Sequence, residues 1–203
     1  MASAPSGPRN ESCGRSETSG SAPSPRLRCY AWQTTYPKAY FGAVLDAATP
    51  HGLDPWLLLA LSREESRFDP DIVSWAGATG LTQLMPATAL GAFAALPKAR
   101  RPPSYSPELL KDPELNLRLG ASVLAESSRR FEDIPLGIAA YNAGPGLVAG
   151  FLRRSGHLPF DRFVLAIRVA ETRGYLQRVL ESWARYRLLY ASDDPFIPMP
   201  SRY

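Results

Sequence analysis

The chain has 203 residues, 45% hydrophobic and 21% charged, a balance that excludes wholesale disorder and suits one domain of ordinary size with room for a tail. Its net charge is only +4, and no run approaches the roughly 18 apolar residues of a membrane span. Two cysteines, Cys13 and Cys29, and two histidines, His51 and His157, have no metal-ligand spacing, so no metal or other cofactor is expected.

Residues 1–28 contain seven Ser, four Pro and three Gly, half of that stretch. Such a composition cannot bury a core and reads as a disordered leader or linker, taken here as residues 1–35. Leu27 is the only branched aliphatic residue before Arg28, so the apolar centre of a signal peptide is not seen. From Pro37 the signals turn helical. Tyr40, Ala43, Val44, Ala47 and Ala48 follow a three-four spacing, and Thr49 to Gly52 break it. Asp54-Pro55 supplies an N-cap and a first-turn proline for a helix carrying Leu57, Leu58, Leu61 and Phe68, which is expected to stop near Asp69-Pro70. Gly77 to Met85 is small and glycine-punctuated, and Pro86 opens a helix toward Leu96.

Lys98 to Tyr105 reads as a loop, and Asp112-Pro113 repeats the cap-and-proline signal before a long helix with Leu117, Ala121, Leu124 and Phe131 on one face. Pro135 begins a short apolar helix that Asn142-Ala143-Gly144-Pro145 stops. Asp161 is expected to cap another short helix through Arg168. The last helix is expected from Thr172 to Tyr190, with Tyr175, Val179, Trp183, Tyr186 and Tyr190 on one stripe. Without period-two alternation or a hairpin signal, the fold class is all-α: seven to nine helices over residues 36–192, followed by a tail at 193–203.

Four segments carry candidate chemistry. In Arg63-Glu64-Glu65-Ser66-Arg67-Phe68-Asp69-Pro70, two carboxylates sit at the end of an apolar helix. At about 100° per residue, Glu65 falls between Leu58 and Leu61 and Glu64 beside Leu57, so periodicity does not choose between them. A carboxyl held against apolar surface is desolvated, which raises its pKa toward what a general acid needs. Read alone, the segment is also an ordinary amphipathic helix with acids at its rim. Ser74 to Pro86 offers small residues for close backbone approach and, in Gln83, an amide suited to sugar hydroxyl and acetamido groups. Tyr141-Asn142 sits at a helix C-terminus before a forced turn, and Glu171-Thr172-Arg173-Gly174-Tyr175 opens the last helix. Each of these fits plain packing and capping equally well.

Together and in this order, the segments resemble the soluble lytic murein transglycosylases, the lysozyme-like domain of glycoside hydrolase family 23. The resemblance runs from about Tyr36 to Tyr190. It rests on Glu65-Ser66 with Phe68-Asp69-Pro70, on Gly80-Leu81-Thr82-Gln83 with Leu84-Met85-Pro86, on Ala140 to Pro145, and on Glu171 to Tyr175. It implies a goose-type lysozyme-like fold and makes Glu65, the acid directly before serine, the catalytic acid and base. Ser74, Thr82, Gln83, Tyr141, Asn142 and Tyr175 are then expected along the glycan cleft, with Ser66, Gly80 and Glu171 shaping it. Thr82 stands where the family usually has methionine.

The implied reaction is cleavage of peptidoglycan strands between N-acetylmuramic acid and N-acetylglucosamine, with closure of a 1,6-anhydro ring, in the periplasm or cell envelope. Two alternatives keep the fold: a goose-type lysozyme that uses water, and a silent glycan-binding module of the envelope. Residues 151–190 carry eight Arg against three acids, a surface compatible with an anionic polymer. No nucleic-acid-binding motif accompanies it, so nucleic acid is not an expected partner.

Overall fold

The structure, a computed structural model, describes residues 32–191. Cys13, Cys29, most of the expected leader and the expected tail lie outside the described residues. Among the described residues the regular structure is helical throughout, with eight bounded α-helices: α1 (Phe41–Ala48), α2 (Pro55–Ser66), α3 (Pro86–Ala95), α4 (Pro113–Phe131), α5 (Ile134–Ala143), α6 (Pro145–Ser155), α7 (Phe160–Ala166) and α8 (Ala170–Tyr190). β pairing among them is confined to two isolated bridges, Val73 to Thr79 and Thr79 to Leu84.

The helix starts follow local chemistry. The carboxylates of Asp54, Asp112 and Asp133 accept from the backbone N–H of Trp56 (2.9 Å), Leu115 (2.7 Å) and Leu136 (2.7 Å). Each satisfies one of the donors a helix leaves orphaned, and a proline in the first turn pre-sets φ without forfeiting a bond.

Several boundaries differ from those read off the sequence. Residues 32–35, assigned to the leader, are helical, and the Tyr36 N–H closes onto the Trp32 carbonyl at 2.8 Å. Helix α2 ends at Ser66 rather than near Asp69, because Arg67 and Phe68 both take left-handed backbone, with φ of 54° and 67°. The stop at Asn142 to Pro145 is also a start: Pro145 opens α6, which the sequence reading did not foresee. Asp161 lies inside the first turn of α7 and Pro159 occupies the cap, while α8 begins at Ala170, two residues early.

Helix α2 is the axis of the core. Leu57, Leu58, Leu59, Ala60 and Leu61 are all fully buried, so this helix is covered on every side rather than along one stripe. Helix α8 packs along it, and α4 packs along α1 and α5. The α2–α8 pair is antiparallel. At one end Asp54 accepts from Trp183 Nε1 (2.8 Å) and Arg187 Nη1 (2.6 Å); at the other, Glu65 and Glu64 meet Tyr175 and Ser182. A smaller apolar cluster of Leu84, Ala89, Phe93, Leu110, Leu115 and Leu119 backs the loop between α2 and α3.

Asp54 therefore caps α2 and ties it to α8 through one carboxylate. Replacing it with alanine removes the cap together with the bonds from Trp183 Nε1 and Arg187 Nη1. Asp54→Ala should lower stability by about 2–4 kcal/mol in urea denaturation, and a loss below about 0.5 kcal/mol would contradict this reading.

Candidate active site

Glu65 sits in the last turn of α2, where the buried leucine section gives way to polar residues. Its Oε1 accepts from the Tyr175 hydroxyl of α8 at 2.6 Å. Burial pushes its carboxyl up from the ordinary 4.5 to about 7; the Tyr175 hydrogen bond and the Arg178 charge pull down against this, and the charges of Glu64 and Glu171 add to the rise. Desolvation is thus the dominant influence. The phenols answer to the same surroundings: burial, reinforced by the Glu65 charge, pushes both Tyr141 and Tyr175 well above the usual tyrosine range, so each remains a hydrogen-bond donor.

The neighbouring carboxylate has a different fate. The Glu64 side chain is 3% exposed and bonded to Arg63 Nη1 at 2.5 Å, with Arg178 Nε at 3.6 Å and Arg67 Nη2 at 3.7 Å. Ser182 also donates to it at 2.7 Å. Two adjacent acids on one helix therefore end in opposite environments, one desolvated beside phenols and one enclosed by guanidiniums.

Ser66 fastens the end of α2 to the next loop. Its hydroxyl meets the carbonyls of Leu81 (2.8 Å) and Ser62 (3.0 Å), and it accepts from the Phe68 N–H at 3.1 Å. Gly80 (φ +82°) approaches so closely that a Cβ would lie 2.1 Å from the Leu110 carbonyl and 2.3 Å from Asn116 Nδ2. Gln83, itself at φ +46°, donates its amide to the carbonyls of Gly80 (3.1 Å) and Ile72 (3.2 Å). Those donors brace the loop from within. Ser74 likewise serves its own turn, accepting from the Ala78 N–H at 3.0 Å.

Tyr141, near the end of α5, donates to the Thr82 carbonyl at 2.8 Å. Asn142 accepts from the Thr172 hydroxyl at 2.9 Å, joining the end of α5 to the start of α8. Glu171 is exposed in the first turn of α8. Glu65, Tyr141 and Tyr175 are thus brought within one electrostatic neighbourhood, with Gly80 and Gln83 in the loop that Ser66 anchors to the end of α2.

Thr82 requires a correction. Expected on the cleft, its side chain is fully buried, and its hydroxyl donates to Asn116 Oδ1 at 2.7 Å. It packs so tightly on α4 that a Cβ on Gly120 would fall 2.5 Å from its oxygen. What Thr82 contributes to the site is its backbone carbonyl, held for Tyr141.

The residue that organises this loop, Asn116, was missed. It is fully buried on α4; its amide donates to the carbonyls of Leu110 (2.8 Å) and Thr79 (3.0 Å), and its carbonyl accepts from the Thr82 N–H (2.8 Å) and hydroxyl. A lone amide flanked by Leu115, Leu117 and Leu119 was the available signal, because a polar group in such a stripe must find partners or cost stability.

Residues 43–164 match the family described as Transglycosylase SLT domain. The soluble lytic murein transglycosylase of Escherichia coli (strain K12) is 40% identical over 140 residues, 68% of this chain and 21% of that protein. A putative soluble lytic murein transglycosylase of Haemophilus influenzae is 34% identical over 160 residues, 78% of this chain and 26% of that protein. The crystal structure of the 70 kDa soluble lytic transglycosylase from E. coli superposes with a TM-score of 0.78 at 32% identity, covering 88% of this chain and 29% of that one. The chain thus spans between a fifth and a third of the length of these relatives.

The raised pKa of Glu65 has a consequence for stability. The native state binds its proton more tightly than the unfolded chain, so this contribution is complete below the ordinary value of 4.5 and is lost as pH rises through about 7. Glu65→Gln removes the dependence. The stability of the Gln variant relative to the parent should therefore climb between pH 4 and pH 8 by roughly 3 kcal/mol at most, read by urea denaturation at each pH; a flat difference would contradict the buried protonated acid.

Proposed function

The chain belongs to the SLT transglycosylase domain family, and on that premise we propose that it cleaves the β-1,4 bond between N-acetylmuramic acid and N-acetylglucosamine in peptidoglycan, leaving a 1,6-anhydromuramoyl end. The observation that carries the reading is the Glu65 carboxyl, lifted by burial to about 7 and hydrogen-bonded to Tyr175 at 2.6 Å. Such a group is partly protonated and partly ionised near neutral pH, which a residue acting first as acid and then as base requires.

In the first step the Glu65 proton passes to the glycosidic oxygen, and the bond from that oxygen to C1 of the muramoyl residue breaks. The leaving sugar departs with a new hydroxyl. The substrate's own acetamido group stabilises the positive charge at C1, as in substrate-assisted glycosidases. Glu65, now a carboxylate, takes the proton of the muramoyl C6 hydroxyl, and that oxygen bonds to C1. No water is consumed, and Glu65 ends protonated as it began. The Tyr175 hydroxyl, donating to Glu65, favours the carboxylate midway through this cycle, while burial favours the acid at its start. Glu64 is poorly suited to the same work, since its carboxylate is held by Arg63, Arg67 and Arg178.

Gln83 and Tyr141 are proposed to line the glycan cleft, and Ser74 and Asn142 to hold its walls. A cell-wall substrate puts the site of action in the cell envelope, the periplasm in a two-membrane bacterium. No helix among the described residues is long and apolar enough to cross a membrane.

Digestion of purified peptidoglycan, followed by mass spectrometry, tests the reading. Muropeptides lighter by one water than hydrolysed ones are expected; products carrying a reducing muramic acid would identify a lysozyme, and binding without turnover a silent glycan module. Glu65→Gln should cost several orders of magnitude in turnover, and the parent's rate should fall as pH rises past about 7. Substantial turnover by the Gln variant would reject the assignment.

A further inference from the structure

The second carboxylate of the pair is not used by the mechanism, yet it is one of the most enclosed charges on the described residues. Glu64 has 3% of its side chain exposed and is surrounded by three guanidiniums. Arg63 comes from its own helix and is fixed in turn by the Thr35 carbonyl (3.2 Å), the Ser182 hydroxyl (3.3 Å) and the Tyr36 ring, 4.2 Å below it. Arg67 follows in the left-handed turn that ends α2. Arg178 reaches across from α8, with its Nε 3.6 Å from Glu64 Oε2.

Arg178 is the consequential one. It lies three residues after Tyr175 on α8, hence on the same face, and Tyr175 donates to Glu65. Its guanidinium lies back over Gly174, where an added Cβ would fall 3.1 Å from Nη1. The charge therefore rests against Glu64 and acts on Glu65 as well. The groups whose charge or hydrogen bond acts on Glu65 are Tyr175, Arg178 and Glu171 from α8 and Glu64 from its own helix, while Tyr141 from α5 feels the Glu65 charge in turn. Arg178 is the cation among them.

We propose that Glu64 is a positioning residue for the reaction: by holding the Arg178 guanidinium, it prevents Arg178 from pairing with Glu65 and so keeps the catalytic carboxyl free to carry a proton. This inference rests on the reading of Glu65 as the acid and base. Without Glu64, three guanidiniums lose their shared counter-ion, and one of them, Arg178, already acts on Glu65 through its charge. An opposite charge drawn to within about 4–6 Å favours ionisation, typically by about one pH unit or more, while the Glu64 charge that now aids protonation is lost as well. A fall of about one unit from near 7 cuts the protonated fraction at neutral pH about fivefold.

The test is the titration of the Glu65 carboxyl, followed by ¹³C NMR and assigned by loss of its resonance in the Glu65→Gln chain, together with kcat and KM across pH. In Glu64→Gln the Glu65 midpoint should fall by about one unit, with kcat at neutral pH reduced about fivefold, its optimum moved to lower pH and KM little changed. Adding Arg178→Gln to that variant should return the midpoint toward the parent value. Arg178→Gln alone changes a side chain that is 54% exposed and is expected to fold; it should raise the midpoint above the parent's, which keeps the proposal testable should Glu64→Gln fail to fold. An unchanged Glu65 midpoint in Glu64→Gln, a fall that persists in the double variant, or a midpoint in Arg178→Gln that does not rise would overturn the proposal. Turnover in the Glu65→Gln chain would instead overturn the reading of Glu65 on which it rests, a result read independently of these shifts.

Discussion

Everything at the site depends on the antiparallel packing of α2 against α8. Asp54 fixes one end of that pair through Trp183 and Arg187, and Glu64 and Glu65 fix the other through Ser182 and Tyr175. The leucines between them exclude water along the shared axis. A carboxyl at the end of such an axis loses solvation without leaving the surface altogether, which is how a helix built for packing comes to hold an acid that keeps its proton to higher pH. Desolvation and the phenol act in opposite directions on Glu65, and burial is the larger influence.

The loop between α2 and α3 is the second component, and hydrogen bonds to buried partners hold it in place of regular structure. Asn116 satisfies four backbone or hydroxyl groups from within α4, Ser66 anchors the Leu81 carbonyl, and Tyr141 reaches the Thr82 carbonyl from α5. Three helices thereby fix one irregular segment, at the stability cost to be expected of buried polar groups if any partner is removed.

Much of this was legible in the sequence because the signals are local. Asp-Pro caps, glycine stops and the three-four spacing gave the helices, and the ordered motifs gave Glu65, Tyr141 and Tyr175 together. What stayed hidden depended on tertiary contacts. Periodicity did not separate Glu64 from Glu65 because α2 is buried on every side, so its apolar pattern carries no direction. The burial of Thr82 follows from Asn116 and Gly120, residues over 30 positions away. Helix α6 was missed because Asn142 to Pro145 ends one helix with the same residues that begin the next.

Burial against α8 lets Glu65 hold its proton close to neutrality, and titration of that single carboxyl in the unmodified protein by ¹³C NMR tests this directly. A midpoint near 7 is predicted. A midpoint near 4.5, the ordinary value, would mean that the group is solvated and that the acid–base account of this site is wrong.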